Sequence, residues 1–362
     1  MPKIAEIHTL TFRLPMAGAL SWGQTSRMDT LEHVLVRVIT DTGHVGLAEA
    51  PPRPTIYGET PESIQTIIQK YLAPKLIGLE VADFESANRQ MATIANNHTA
   101  KGAIDICLYE AFAAWQGQSL LDYFNPPNRK IKVSYILGIS DRVTMLAEAK
   151  AVYDQGVRVF KVKVGRSFAD DLARIQELQA EFKGSQLELY ADANEGLWPE
   201  QAPAQLHQLA ELDILYVEEP LPVEMLPERA ALREAQILPL IADDSVFTPR
   251  DLTRELRYHT FDILNIKTAR TGYTQSLQML TAARQQHKGV MVGSQASSTL
   301  GTIRTAIFAG LAGIDYPCEL SFFLKLEDEI VNQPIKLVDG YLDLDALVGI
   351  TVDEEQLRAC QV

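Results

Sequence analysis

Along residues 1–50 the apolar positions alternate with polar ones, in "KIAEIHTLTFRL" and again in "LEHVLVRVITDTGHVGLAEA". A period of two predicts antiparallel strands with one buried face. The turn "DTGH", residues 41–44, supplies the glycine that a hairpin requires. A polar, glycine-containing stretch, "AGALSWGQTSRMDT", separates the two patterned runs. After residue 60 the period becomes helical. "TPESIQTIIQKYLAPKLIG" opens on Thr60 as N-cap, with Glu62 in the first turn. "AKGAIDICLYEAFAAWQGQSL", residues 100–120, is apolar on nearly every side, which predicts a well-buried helix. Residues 1–125 thus predict an α+β unit.

From residue 130 the rhythm changes. Short β-branched runs recur, each followed by a helical stretch: "KVSYIL", "RVFKVKV", "LELYADAN", "LYVEEP", "LPLIADDS", "DILNIK", "GVMVGS" and "IDYPCEL". Taking Lys163, Asp192, Glu218, Asp243, Lys267, Ser294 and Glu319 as the ends of successive runs gives spacings of 29, 26, 25, 24, 27 and 25 residues. A βα period of that size, repeated over eight runs, predicts a parallel (β/α) barrel over residues 126–324. An open doubly wound sheet alternates in the same way but rarely needs eight such units. In a barrel the C-terminal strand ends ring one mouth, and here nearly every strand ends in a charged or polar residue.

Composition narrows the chemistry. With 362 residues, 46% hydrophobic and 22% charged, the chain can bury a sizeable core. A net charge of −14 argues against nucleic acid and against an anionic membrane surface as partners. The three cysteines, Cys107, Cys318 and Cys360, have neither metal-ligand nor redox spacing. The opening "MPKIAEIHTL" carries no signal-like apolar core, so a cytoplasmic location is the expectation.

Asp192 in "YADAN", Glu218 in "YVEEP" and Asp243 in "IADDS" end three consecutive strands. Three carboxylates at one rim repel unless neutralised, and a hard divalent cation with oxygen ligands does so; Mg2+ suits the set better than zinc. Taken singly, each acid could equally be a salt-bridge partner or a helix cap. Glu219 and Asp244 have the opposite parity and read as supports of those ligands, while Asn194 shares the face of Asp192. Lys161 and Lys163 share one face of the preceding strand, and Lys267 ends the strand that follows the trio. A buried lysine costs several kcal/mol unless paired or useful. Flanking a metal-held carboxylate, Lys163 and Lys267 could work on opposite sides of its α-carbon once a lysine's proton affinity is lowered by burial and a like charge. Lys161 then tunes Lys163 and contacts the substrate carboxylate. A Schiff-base aldolase would use the same residue types without a metal.

The segments "KVKVG", "DAN", "VEEP", "DDSVF" and "NIKTARTGY" resemble the enolase superfamily in its muconate-lactonizing subgroup, the mandelate racemase/muconate lactonizing enzyme family, over nearly the whole chain. The resemblance implies a (β/α) barrel of the enolase type with an α+β capping domain, residues 1–125, completed by the tail 325–362. It implies Asp192, Glu218 and Asp243 as Mg2+ ligands, Lys163 and Lys267 as acid/base catalysts, and a small-molecule carboxylate substrate. Superfamily sites are known to pair a Lys or His base with Mg2+. It further implies two mobile specificity loops, about residues 18–30 and 51–60, which places Arg27 and Tyr57 as substrate-contact candidates, and a homo-oligomer. The loop "EAPPRPTIYGET" looks most like dipeptide epimerases, whereas "CEL" matches muconate cycloisomerases. Where dipeptide epimerases carry Asp-x-Asp after the eighth strand this chain has Glu319 and Ser321. After the seventh it has Gln295 and Ser297 in place of a Met-x-Glu-Ser segment. The expected activity is racemisation or epimerisation of a dipeptide or N-acylamino acid. Muconate-type cycloisomerisation is the alternative, and an o-succinylbenzoate synthase-like dehydration a further one.

Overall fold

The computed structural model describes residues 1–362. Three antiparallel strands, β1 (Ile4–Trp22), β2 (Ser26–Thr40) and β3 (Val45–Ala50), form the N-terminal sheet. The hairpin between β2 and β3 closes at "DTGH", where Thr40 N donates to His44 O at 2.9 Å and Gly43 takes φ 82°. The stretch expected to separate the first two strands instead prolongs both. β1 and β2 pair from Ile4 opposite Thr40 out to Trp22 opposite Ser26, with an irregularity between Pro15 and Leu20. The physical reason is a weak alternation: Leu20, Trp22 and Met28 line the barrel mouth while Gln24, Thr25, Arg27 and Asp29 face solvent. The tip is tied down by Ile139 N to Ser21 O (2.9 Å), Arg166 Nη2 to Trp22 O (3.2 Å) and Gln24 Nε2 to Gly165 O (3.1 Å).

The helix after residue 60 starts in a reciprocal Thr60–Ser63 capping box and runs through a wider turn at Ile68–Leu72. Helix His98–Trp115 is buried on nearly every side because β3 covers one face and barrel helix Thr268–Gln285 the other. Contact with β3 is close: a Cβ on Gly46 would lie 1.9 Å from Cys107 O. Asp105 ties cap to barrel, accepting from Tyr273 N (2.6 Å), Thr274 N (2.9 Å) and Thr274 Oγ1 (2.7 Å), just beyond the break at Gly272 with its φ of 62°.

β4 (Lys130–Lys132) pairs antiparallel with the tail strand Tyr341–Asp343. The end of the chain returns to the cap sheet through Arg13 N to Cys360 O (2.8 Å) and Val362 N to Thr11 O (3.1 Å). The parallel sheet holds β5 (Ser134–Leu137), β6 (Val159–Lys163), β7 (Glu188–Asp192), β8 (Ile214–Glu218), β9 (Leu240–Ala242), β10 (Ile263–Ile266) and β11 (Gly289–Val292), each beside its sequence neighbour. The eighth predicted run, "IDYPCEL", is not a regular strand. It still closes the ring: Asp315 N and Glu319 N donate to Val290 O and Val292 O (2.9 Å each), and Cys318 exchanges bonds with Lys132 O (2.9 Å) and Ser134 N (2.8 Å). Pro317, which has no N–H to give, interrupts the ladder at its centre. One hydrophobic core runs from the cap sheet through helix 98–115 into the later barrel helices, and a second fills the early βα units. No helix is long and apolar enough to cross a membrane.

Candidate active site

The pleat of β6 sends Lys161 and Lys163 into the barrel and Phe160 and Val162 outward, and all four are buried. Register aligns Lys163 with Asp192 and Asp192 with Glu218 across β6, β7 and β8. β9 stops at Ala242 and β10 at Ile266, so Asp243 and Lys267 are the first residues beyond their strands. Lys161, Lys163, Asp192, Asp243, Lys267 and Glu319 line a cavity of about 80 Å³ at the mouth, roofed by Leu20, Trp22, Met28 and Ile56. Pockets that hold drug-sized ligands have roughly 300–1,000 Å³, so the cavity is small beside them with its roof in this position. A larger groove of about 1390 Å³ lies between cap and barrel helices, but the paired lysines of β6 and the acidic trio are not in its walls.

Lys161 Nζ lies 2.7 Å from Asp192 Oδ2, 2.9 Å from Glu218 Oε2 and 2.7 Å from Glu319 Oε1. Lys163 Nζ donates to Asp192 Oδ2 (2.6 Å) and Asn194 Oδ1 (2.8 Å). Lys267 Nζ pairs with Asp243 Oδ2, and Arg270 Nη1 stands 3.1 Å from Asp243 Oδ1. Burial works against the charge on Lys161, but the three carboxylates outweigh it and hold the ammonium well above its usual range. Lys267 is likewise raised, burial being outweighed by Asp243. Proton affinity at Lys161 and Lys267 is therefore raised, opposite to the lowering expected from burial and like charge, because each ammonium touches a carboxylate. The lysines in turn push Asp192 down to about 2 against its burial. Burial pushes Glu218 well up, with Asp192, Glu319 and Asp243 adding to it.

Glu218 Oε2 and Asp243 Oδ1 are buried without a hydrogen-bond donor, although cations stand 2.9 and 3.1 Å away. Carboxylate oxygens on adjacent strand ends that face cations but accept no hydrogen bond are the hard donors that Mg2+ takes. As the side chains stand, no three ligating groups are gathered tightly enough to hold a metal, because the ammonium groups of Lys161, Lys163 and Lys267 occupy their oxygens. The chemistry of the donors fits; a cation would compete with Lys161 for Asp192 and Glu218.

Glu319 joins the cluster, accepting from Tyr190 Oη (3.1 Å) and Ser294 N (2.9 Å) as well as from Lys161. Asn194, at φ 41°, and Gln295 line the cavity. Three substrate-contact candidates do not. Arg27 is exposed, because strand alternation sends its neighbour Met28 inward. Tyr57 packs edge-on against Phe247 at 5.1 Å, while Ile56 takes the place at the cavity. Ser297 is buried outside the lining, since the segment turns at Ala296 with φ 54°. Of the two acids read as supports, Glu219 accepts from Asp243 N (3.0 Å) and pairs with Arg229 at 2.9 Å, and burial pushes it up to about 7. Asp244 instead lines the cavity, pushed up to about 6 by burial and by Asp243. Parity does not reach it, because β9 has already ended. Arg53 was missed, with no periodicity to flag it in its loop. Arg270 was missed as well, although it sits inside "NIKTARTGY".

Residues 10–124 match the family described as mandelate racemase / muconate lactonizing enzyme, N-terminal domain, and residues 144–356 match the enolase C-terminal domain-like family. The chain is 32% identical over 356 residues to the L-Ala-D/L-Glu epimerase of Bacillus subtilis (strain 168), covering 97% of this chain and 96% of that protein. It is 27% identical over 359 residues to muconate cycloisomerase 1 of Rhodococcus opacus, covering 97% and 96%. The crystal structure of the muconate lactonizing enzyme from Mucobacterium Smegmatis complexed with muconolactone superposes with a TM-score of 0.93 at 36% identity, covering 99% of this chain and all of that one.

Proposed function

The chain belongs to the mandelate racemase/muconate lactonizing enzyme family, and from that premise we propose that it is an isomerase that moves the α-proton of a small carboxylate substrate, most directly as a racemase or epimerase of a dipeptide or N-acylamino acid. The observation that carries this reading is a pair of lysines, Lys163 at the end of β6 and Lys267 just after β10, both buried and lining one cavity with Asp192 and Asp243.

Asp192, Glu218 and Asp243 would hold Mg2+, which supplies Lewis-acid stabilisation to a substrate carboxylate. Lys163 removes or returns the α-proton on one side, and Lys267 does so on the other. Asp192 and Asn194 fix the Lys163 amine at 2.6 and 2.8 Å; Asp243 fixes that of Lys267, and Arg270 in turn holds Asp243. Each lysine must lose its proton before acting as base, and each has a carboxylate in contact, Asp192 for Lys163 and Asp243 for Lys267. Trp22, Met28 and Ile56 exclude water from above.

A second reading, muconate-type cycloisomerisation, is supported by Glu319 in the cluster and by the close superposition on a muconate lactonizing enzyme. It needs a single lysine for proton transfer. Nuclear magnetic resonance of solvent deuterium entering Cα, with a panel of L,L-dipeptides and N-acylamino acids, tests the first reading. Ultraviolet loss of muconate tests the second. Exchange on no panel member, together with inert muconate, would discard both.

A further inference from the structure

Eight lysine and arginine side chains of this molecule are buried: Arg53, Lys161, Lys163, Arg229, Lys267, Arg270, Lys288 and Arg304. Six pair with a carboxylate within 4 Å. Lys288 does not, but it lies outside the cavity, its ammonium on Phe261 O and over the Phe261 ring. Arg53 is therefore the one cation in the cavity wall without an ion-pair partner. Its Nη1 donates to Pro52 O, and its Nη2 reaches Gln295 O, Ala296 O at 3.4 Å and His33 Nε2 at 3.4 Å. Nε makes no hydrogen bond. Glu49, the carboxylate whose charge acts on Arg53, is itself engaged by Ser298 N (2.9 Å), Ser298 Oγ (2.6 Å) and the far side of His33 at 3.4 Å.

A buried guanidinium left without a counter-ion is costly. A neutral amide could tie the two loops through the same carbonyls at lower cost, so loop stapling alone does not account for an arginine. The proton-transfer end of the cavity already has its acids and lysines in mutual contact, whereas the Gln295 end has a lone positive charge.

We infer that Arg53 receives a second anionic group of the substrate, so that the natural substrate is a dicarboxylate: one carboxylate at the acidic trio, the other on the guanidinium beside Gln295. This rests on the proposed α-proton chemistry and narrows its substrate class. Uncharged dipeptide and N-acyl side chains are disfavoured; substrates ending in a carboxylate, whether a glutamyl side chain, a succinyl group or an unsaturated diacid, are favoured.

Titration calorimetry with Mg2+ present decides it, using adipate and its monoamide on the wild type, Arg53→Lys and Arg53→Met. A charge-assisted hydrogen bond is worth about 1.5–3 kcal/mol, so the wild type should bind the diacid at least about ten-fold tighter than the monoamide. That preference should persist in part in Arg53→Lys and vanish in Arg53→Met. Equal wild-type affinities, or a preference intact in Arg53→Met, overturns the inference; the wild-type comparison and the lysine variant decide it if the methionine variant does not fold. Cα exchange on L-Ala-L-Glu against L-Ala-L-Gln separates the two levels. Equal exchange on both removes the dicarboxylate assignment and leaves the proton chemistry standing. Diacid-selective binding with no exchange on either and inert muconate supports the anion site while removing the chemistry.

Discussion

Replacing Lys267 by Ala tests the two-sided proton transfer most directly, and the structure sets its size. Asp243 loses its ammonium partner but keeps Arg270 Nη1 at 3.1 Å. Its charge is thus not orphaned, and the stability cost should fall short of the ~3–5 kcal/mol paid when a buried ion loses its only partner. The same holds for Lys163→Ala, because Asp192 Oδ2 retains Lys161 at 2.7 Å. Both variants should fold, and a urea titration would confirm it. A positioned general base contributes typically ~10²–10⁴-fold, so racemisation should fall by at least that factor in each. The informative assay follows the L and D substrates separately in deuterium oxide. Lys267→Ala should still exchange the α-proton of one enantiomer without inverting it, and Lys163→Ala should show the mirror-image pattern. Full-rate inversion by Lys267→Ala would refute the two-base arrangement. Loss of all turnover in one variant beside full turnover in the other would instead indicate a single base, as the cycloisomerase reading requires.

Dialysis against EDTA should abolish Cα exchange and added Mg2+ restore it; exchange that survives chelation would remove the metal from the chemistry. Gly46→Ala places a Cβ 1.9 Å from Cys107 O, backbone against backbone, so calorimetry should show a lower Tm, with a cost at or above the ~1–3 kcal/mol usual for overpacking; an unchanged Tm would contradict the close approach of β3 to helix 98–115. Burial pushes the Glu329 carboxyl up to about 7 while it accepts from Thr299 N and Oγ1. The folded state therefore holds this proton more tightly than the unfolded chain, and the associated stability is present below the ordinary carboxylate value of 4.5 and lost as pH rises through about 7. Glu329→Gln should flatten that slope, gaining on the order of 1–3 kcal/mol over the wild type at pH 8 and little at pH 5. Parallel pH profiles of unfolding free energy in the two proteins would show the reasoning to be wrong.

The barrel and its charged rim were legible in the sequence because both follow from local regularities. Apolar runs every 24–29 residues specify βα units, and parallel strands of a closed barrel bring their C-terminal ends to one mouth whatever the loops do. Lys161 and Lys163 on β6, Asp192 on β7 and Glu218 on β8 could thus be placed together from spacing and parity alone. Parity ends where a strand ends, which is why Asp244, beyond Ala242, was assigned to the wrong side. The prolonged β1–β2 hairpin was concealed by its polar, glycine-bearing stretch, whose solvent-facing half dominates its composition and carries Arg27. The eighth run was recognised as barrel-closing, but not that Pro317 would break its ladder. What only the tertiary structure decided depends on contacts with no local signature. Arg53 reaches the carbonyl of a residue 242 positions away, and the want of a counter-ion there is a property of the assembled cavity. Periodicity records which face of an element is buried; which charges meet across the interior, and which meet nothing, is fixed only when distant segments close on one another.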